Sequence, residues 1–182
     1  MFLELSATSC TEFYYKNHNT IHRNQTVYSI AYIVHLILKD LSGRTTDILG
    51  GSKTLQMKSN SHFEWVSTIR AGFPAETLDS LSSQTGVTNT EIATLLGISV
   101  RKLTQRKRTG AFSCGESEKL LRVASAIAQA EDVFDDLENA LDWLRSPVIV
   151  LGGATPFSLL DTEVGGEIVM NTLGRIAYGI PA

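Results

Sequence analysis

A chain of 182 residues with 43% hydrophobic side chains can fill the core of one generous domain or two small ones. Its formal net charge of -3 argues against nucleic-acid binding through overall basicity, so any such binding must come from local segregation of charge. The two cysteines, Cys10 and Cys114, form no CxxC or zinc-type spacing, which argues against a disulfide framework or structural metal and fits a reducing cytoplasm.

Residues 1–48 mix Asn, Thr, His and Tyr without sustained period, suggesting a poorly ordered start followed by one short element. That element is the apolar run VYSIAYIVHLIL at 27–38, which contains His35. It is shorter than the roughly 20 residues of a bilayer span and begins too far from Met1 for a signal peptide. A buried helix or strand is expected there. Between 49 and 88, after Leu49-Gly50-Gly51, Phe63, Val66 and Ile69 and then Leu78 and Leu81 recur at helical spacing. Gly72, Pro74 and Gly86 punctuate this stretch into two short helices.

The segment 88–110 has the clearest grammar. Thr88-x-x-Glu91 is a capping box, so a helix starts there. It runs through Ile92, Ala93, Leu95 and Leu96, stops at Gly97, and restarts after Ser99, an N-cap for a second helix ending near Gly110. Ala93, Gly97 and Leu103 have the spacing of a helix-turn-helix: a small residue where the helices cross, a glycine in the turn, and an apolar pin beneath the second helix.

From Ile92 to Gly115 there is no acidic residue, whereas Arg101, Lys102, Arg106, Lys107 and Arg108 lie on or beside the second helix. With Leu103 buried, Arg101, Gln105 and Arg108 share one outward face, flanked by Lys102. Arg and Gln can pair with guanine and adenine edges, and Lys with phosphate. The expected DNA-binding set is Ser99, Arg101, Lys102, Thr104, Gln105, Arg106 and Arg108, with the Thr104 and Thr109 hydroxyls contacting the DNA backbone. The bland alternative is a solvated basic face that offsets the acidic stretch from Glu116 to Asp142. It does not explain why acidic residues vanish from this one helix.

A second capping box, Ser113-x-x-Glu116, opens a long helix expected to be amphipathic through Leu120, Val123, Ala124, Ile127, Ala130 and Phe134. Asp135-Asp136 breaks it before a shorter helix carrying Leu137, Leu141 and Leu144, which ends ahead of Pro147. Beyond Pro147 the chain turns apolar and glycine-rich. Thr155-Pro156 is an N-cap followed by an N1 proline, and Thr162-Glu163 starts another helix.

No enzymatic constellation emerges. His18, His22, His35 and His62 lie outside every motif, and His18 and His22 have no third ligand nearby for a metal. GGATP at 152–156 lacks the lysine of a phosphate loop. No catalytic residue, metal or cofactor is expected.

The segment LGGATPFSLLDTEVGGEIVMNTLGRIAYG, 151–179, closely resembles the C-terminal domain of the Xre/MbcA/ParS antitoxins through Leu151, Gly152, Gly153, Thr155, Pro156, Leu159, Leu160, Asp161, Thr162, Gly165, Val169, Leu173, Gly174, Arg175, Ile176 and Gly179. The resemblance extends upstream through Asp142-Trp143-Leu144, RKRTGAFSCGESEKL at 106–120 and the helix-turn-helix to Leu49-Gly50-Gly51. Ala154 departs from it, standing where the family often has arginine. Residues 1–48 have no counterpart, being either a true extension or translation from a start placed too far upstream.

The resemblance implies a mainly α fold: an Xre-like helix-turn-helix domain at 49–146, then a small, mostly helical toxin-binding domain at 147–182. It implies a type II antitoxin that represses its own operon and covers the active site of a cognate toxin, commonly a RES-domain enzyme that consumes NAD or transfers ADP-ribose. Leu159, Leu160, Val169, Ile176, Tyr178 and Ile180 would give an apolar surface, although Leu159, Leu160 and Leu173 fit the domain's own core better. That leaves Arg175, Tyr178 and the tail from Gly179 to Ala182, which would enter a cleft, as the better interface candidates. The expected toxin-binding set is Thr155, Leu160, Asp161, Arg175, Tyr178, Gly179, Ile180, Pro181 and Ala182. Expected partners are operator DNA, a second copy in a homodimer, and toxin in a larger hetero-oligomer, all in the cytoplasm without a membrane. Cutting the chain at Pro147 would then separate the two activities. The alternative is a stand-alone helix-turn-helix regulator with a C-terminal dimerisation or sensing domain.

Overall fold

In the computed structural model the described residues are 43–179, and all belong to one compact unit. The apolar run at 27–38, Cys10, the histidines at 18, 22 and 35, and the tail Ile180, Pro181 and Ala182 lie outside them. The described residues are helical. Among the described residues the only β feature is an isolated bridge between Pro74 and Ala111, and none of the helices there is long and apolar enough to cross a membrane.

Helix α1 (Gly43–Ile48) and the single turn α2 (Gly51–Thr54) come first. Ile48 and Leu49 are fully buried, and Arg44 meets Glu131 at 2.7 Å, so packing begins upstream of residue 49.

Helix α3 (His62–Ala71) starts at Ser61, whose hydroxyl accepts from the Glu64 N–H, and ends at Gly72. Its phase differs from the one expected. Phe63 is 87% exposed and Val66 is also exposed, while Trp65 is buried. Trp65 sets the rotation of the helix. Its Nε1 donates to Asn60 at 2.6 Å and its ring meets Phe73 edge-on at 6.2 Å, two constraints that the smaller apolar residues cannot outweigh. Helix α4 (Glu76–Thr85) follows and buries Leu78 and Leu81 as expected.

Helices α5 (Asn89–Leu96) and α6 (Val100–Thr109) form the helical pair. The Phe112 N–H donates to the Phe73 carbonyl, and the Ala75 N–H to that of Gly110, tying the exit of α6 to the loop after α3.

Helix α7 (Cys114–Phe134) is the spine against which α1, α3, α5, α8 (Leu137–Arg145) and α10 (Glu163–Ala177) all pack. It is not simply amphipathic. Residues 123–128 are buried on every side, because Ala124, Ser125, Ala126 and Ala128 are small enough to admit neighbours all round. At its end Asp135 takes a left-handed conformation and Asp136 caps α8, accepting from the Asn139 N–H at 3.0 Å.

From α8 the chain passes through a 3-10 turn, Ile149–Leu151, to the single turn α9 (Pro156–Leu159) and then α10. Thr155 and Thr162 cap α9 and α10, and Pro156 occupies the first turn. Leu160, Val169 and Leu173 reach zero exposure, each burial contributing about 1.5–3 kcal/mol. Arg122 of α7 donates to the Leu160 carbonyl at 3.2 Å and fastens the α9–α10 corner to the spine.

Candidate DNA and partner interfaces

Helix α5 begins with a complete capping box. The Glu91 N–H donates to the Thr88 hydroxyl, and the Thr88 N–H donates back to the Glu91 carboxylate at 2.7 Å. At the turn, Gly97 has φ 70°, a left-handed conformation costly for a residue with a Cβ. The Ile98 N–H closes the turn on the Ala93 carbonyl at 3.0 Å. Ala93 is buried at the crossing, and Leu103 is buried beneath α6. Ser99 accepts from the Lys102 N–H at 3.2 Å and starts α6, which the sequence pattern anticipates.

Pinning Leu103 inward turns Arg101, Lys102, Thr104, Gln105 and Arg108 outward, where all are exposed. The other two cations point elsewhere. Arg106 is engaged by Glu116 at 2.9 Å, and Lys107 by Asp79 of α4 at 2.5 Å. Arg106, counted among the DNA-binding residues from sequence, is therefore half-buried and partnered within the fold. Thr104 donates its hydroxyl proton to the Val100 carbonyl, and Thr109 donates to that of Arg106, so in this conformation neither supplies a proton to phosphate. Ser99 uses only its acceptor in the cap.

The two capping-box carboxylates are electrostatically tuned. Burial by itself would raise Glu116, but hydrogen bonds from the Ser113 backbone and hydroxyl and the Arg106 guanidinium outweigh it, holding the carboxyl below its ordinary value. Glu91 follows the same pattern. Burial raises it, and Thr88 together with Arg145 more than reverses the effect.

The second candidate interface lies on α10. Its inner face is Gly165, Val169, Met170 and Leu173, leaving Val164, Ile168, Asn171, Arg175 and Tyr178 at alternating spacings of four and three along the other face. Val164 is 66% exposed and Tyr178 59%, and Ile168 and Ile176 are exposed too. Asp161 and Gly179 are at the surface, Arg175 is half-buried, and Thr155 is half-buried with its oxygen accepting from the Ser158 N–H. Val169, placed on the apolar surface from sequence, is wholly buried, and Leu160, counted in the toxin-binding set although its pattern favours the core, is wholly buried too. Val164 and Ile168 were missed. Their offset from Val169 and Leu173 on a 3.6-residue wheel is the signal that identifies them. A further exposed apolar residue, Ile149 at 94%, projects from the 3-10 turn with Val150 beside it.

Comparison with known proteins adds independent findings. Residues 64–125 match the family model of the antitoxin Xre-like helix-turn-helix domain. Residues 129–179 match that of the antitoxin Xre/MbcA/ParS C-terminal toxin-binding domain. The chain is similar to an antitoxin Xre of Photorhabdus laumondii, with 32% identity over 70% of this chain and 88% of that protein. It is also similar to an antitoxin Xre of Yersinia enterocolitica, with 34% identity over 63% and 79%. A Prs ADP-ribosylating antitoxin of Sphingobium is 36% identical over 37% of this chain and 48% of that protein. With matches to both the helix-turn-helix and the toxin-binding family models, and with the Photorhabdus and Yersinia antitoxins covered over most of their length, the chain belongs to the Xre/MbcA/ParS antitoxin family.

Proposed function

We propose that this antitoxin blocks the active site of a cognate toxin with the outer face of α10 and the tail beyond it, and represses its own operon through α6. The observation that carries the reading is the row Val164, Ile168 and Tyr178, apolar side chains facing solvent within the segment matched by the toxin-binding family model. A fold able to bury Val169 and Leu173 completely leaves such a row outside when another protein is to cover it. Tyr178 and Arg175 are the anchor types that dominate protein interfaces.

The toxin is a RES-domain enzyme that consumes NAD or transfers ADP-ribose. This follows the family resemblance, and the printed name of the Sphingobium relative links that protein to ADP-ribosylation. DNA reading falls to Arg101, Gln105 and Arg108 at base edges, with Lys102 and Ser99 on phosphates. The division of labour follows the chain, with residues 49–146 serving DNA, on a core to which α1 also contributes, and 147–182 serving the toxin. The protein acts in the cytoplasm as a homodimer that assembles further with toxin and itself catalyses nothing.

The test is growth rescue on co-expression with the protein encoded beside it. Ile168→Asp abolishes rescue while retaining promoter binding, and Arg101→Ala with Gln105→Ala does the reverse. Rescue by Ile168→Asp at the wild-type level contradicts the assignment of α10.

A further inference from the structure

Besides Lys107 on Asp79 of α4, three charged contacts fasten the helix-turn-helix to the rest of the fold. At the start of α5, Arg145 Nε donates to Glu91 Oε1 at 2.9 Å and Nη2 donates to Oε2 at 3.4 Å. At the end of α5, Lys119 Nζ of α7 donates to the carbonyls of Leu95 and Leu96, both at 3.4 Å. The third is Arg106 on Glu116, at the exit of α6.

The Arg145 contact differs from the others in what it joins. Glu91 lies in the segment matched as helix-turn-helix, while Arg145 is the last residue of α8, inside the segment matched as toxin-binding. Glu91 also holds the Thr88 N–H, so one carboxylate both starts α5 and receives the arginine fork. With Lys119 at the far end, α5 is gripped at both termini by cations from outside the helical pair.

We propose that Arg145 is a positioning residue for DNA recognition: by holding the first turn of α5 from α8, it sets the angle at which α6 meets a DNA groove. The inference rests on the DNA-reading role proposed above. Half-exposed ion pairs add little to global stability, so the pair's value lies in geometry. A ten-residue helix is roughly 15 Å long, so a tilt of about 5° displaces its far end by about 1 Å. That displacement spoils paired hydrogen bonds to a base edge but barely alters attraction to phosphates.

The experiment uses the full chain, wild type and the variants Arg145→Gln, Arg145→Lys and Glu91→Gln. Glutamine at 91 still completes a capping box, so only the ion pair is removed. Two probes are compared: a duplex spanning the region upstream of the protein's own reading frame, and a random-sequence duplex of equal length. Arg145→Gln and Glu91→Gln are expected to weaken binding to the upstream duplex about tenfold and to leave random-duplex binding within about twofold. Thermal midpoints stay within about 2 °C of wild type, and Arg145→Lys recovers part of the loss. Wild-type affinity of Arg145→Gln for the upstream duplex overturns the proposal. So does a parallel loss on both duplexes with a lowered midpoint, which marks a merely structural pair. If the wild type itself fails to prefer the upstream duplex, the DNA-reading role falls first, and this inference with it.

Discussion

Gly165 stands so close to the carbonyl of Leu159 that a Cβ added to it would lie 2.0 Å from the oxygen. This contact forms the corner at which α10 folds back against α9, with the Gly165 N–H also donating to the Thr162 hydroxyl at 3.1 Å. Backbone cannot retreat cheaply, so Gly165→Ala is expected to lower the unfolding free energy by about 2–3 kcal/mol. Gly166 faces the Arg122 side chain, with Cδ 2.5 Å from the added atom, and a flexible side chain can move. Gly166→Ala should cost about 1 kcal/mol, mostly the Arg122 hydrogen bond to Leu160. Denaturant titration of the two variants checks the difference, and equal losses contradict this account of the corner.

On α6, exposure and partnering predict different outcomes for neighbouring cations. Arg101→Ala and Gln105→Ala remove only outward groups, so each should cost about 1–3 kcal/mol of sequence discrimination with no loss of stability. Lys102→Ala should weaken binding to any duplex and reduce the slope of log affinity against log salt by about 0.9. Arg106→Ala should lower stability as well, because it leaves Glu116 without its guanidinium partner. Fluorescence anisotropy across a salt series, paired with thermal melts, separates the three behaviours.

Glu91 and Glu116 both titrate below the ordinary carboxylate value of 4.5 in the folded state. A depressed folded value means the unfolded chain takes up protons first as pH falls. The stabilisation is thus fully present above 4.5 and is lost as pH drops through the lower folded values. The thermal midpoint should be insensitive to these groups near neutrality and fall in acid below 4.5. Glu91→Gln and Glu116→Gln should each flatten that acid limb; an unchanged limb in the double variant contradicts the assignment.

Much of this architecture is local, and that is why it is legible in the sequence. Thr88 with Glu91, Ser99, Ser113 with Glu116, Thr155 with Pro156 and Thr162 act over three or four residues, so spacing alone marks where helices begin. Gly97 and Leu103 define the helical pair by the same short-range logic. What escapes is decided by distant partners. The phase of α3 depends on Trp65 meeting Asn60 and Phe73, and the all-round burial of residues 123–128 in α7 depends on five helices converging on it. The engagement of Lys107 by Asp79 and of Arg106 by Glu116 cannot be read from a run of basic residues.

Packing also alters one experiment that the sequence suggests. Cutting at Pro147 removes Leu160, Val169 and Leu173, all fully buried, and strips α10 from the spine that also supports α5. The truncated chain is expected to melt well below the full chain and to bind DNA poorly, not to remain an intact DNA-binding half. Calorimetry of the two proteins checks this. Surface substitutions such as Ile168→Asp are the cleaner way to separate the activities.

The most direct measurement of the central claim is survival of cells producing the neighbouring gene product together with the wild-type chain, the Ile168→Asp variant, or the Arg101→Ala, Gln105→Ala double variant, all held at equal protein levels. The account predicts growth with the wild type and the double variant and none with Ile168→Asp. Growth with Ile168→Asp equal to wild type, or no growth with any of the three, would contradict it.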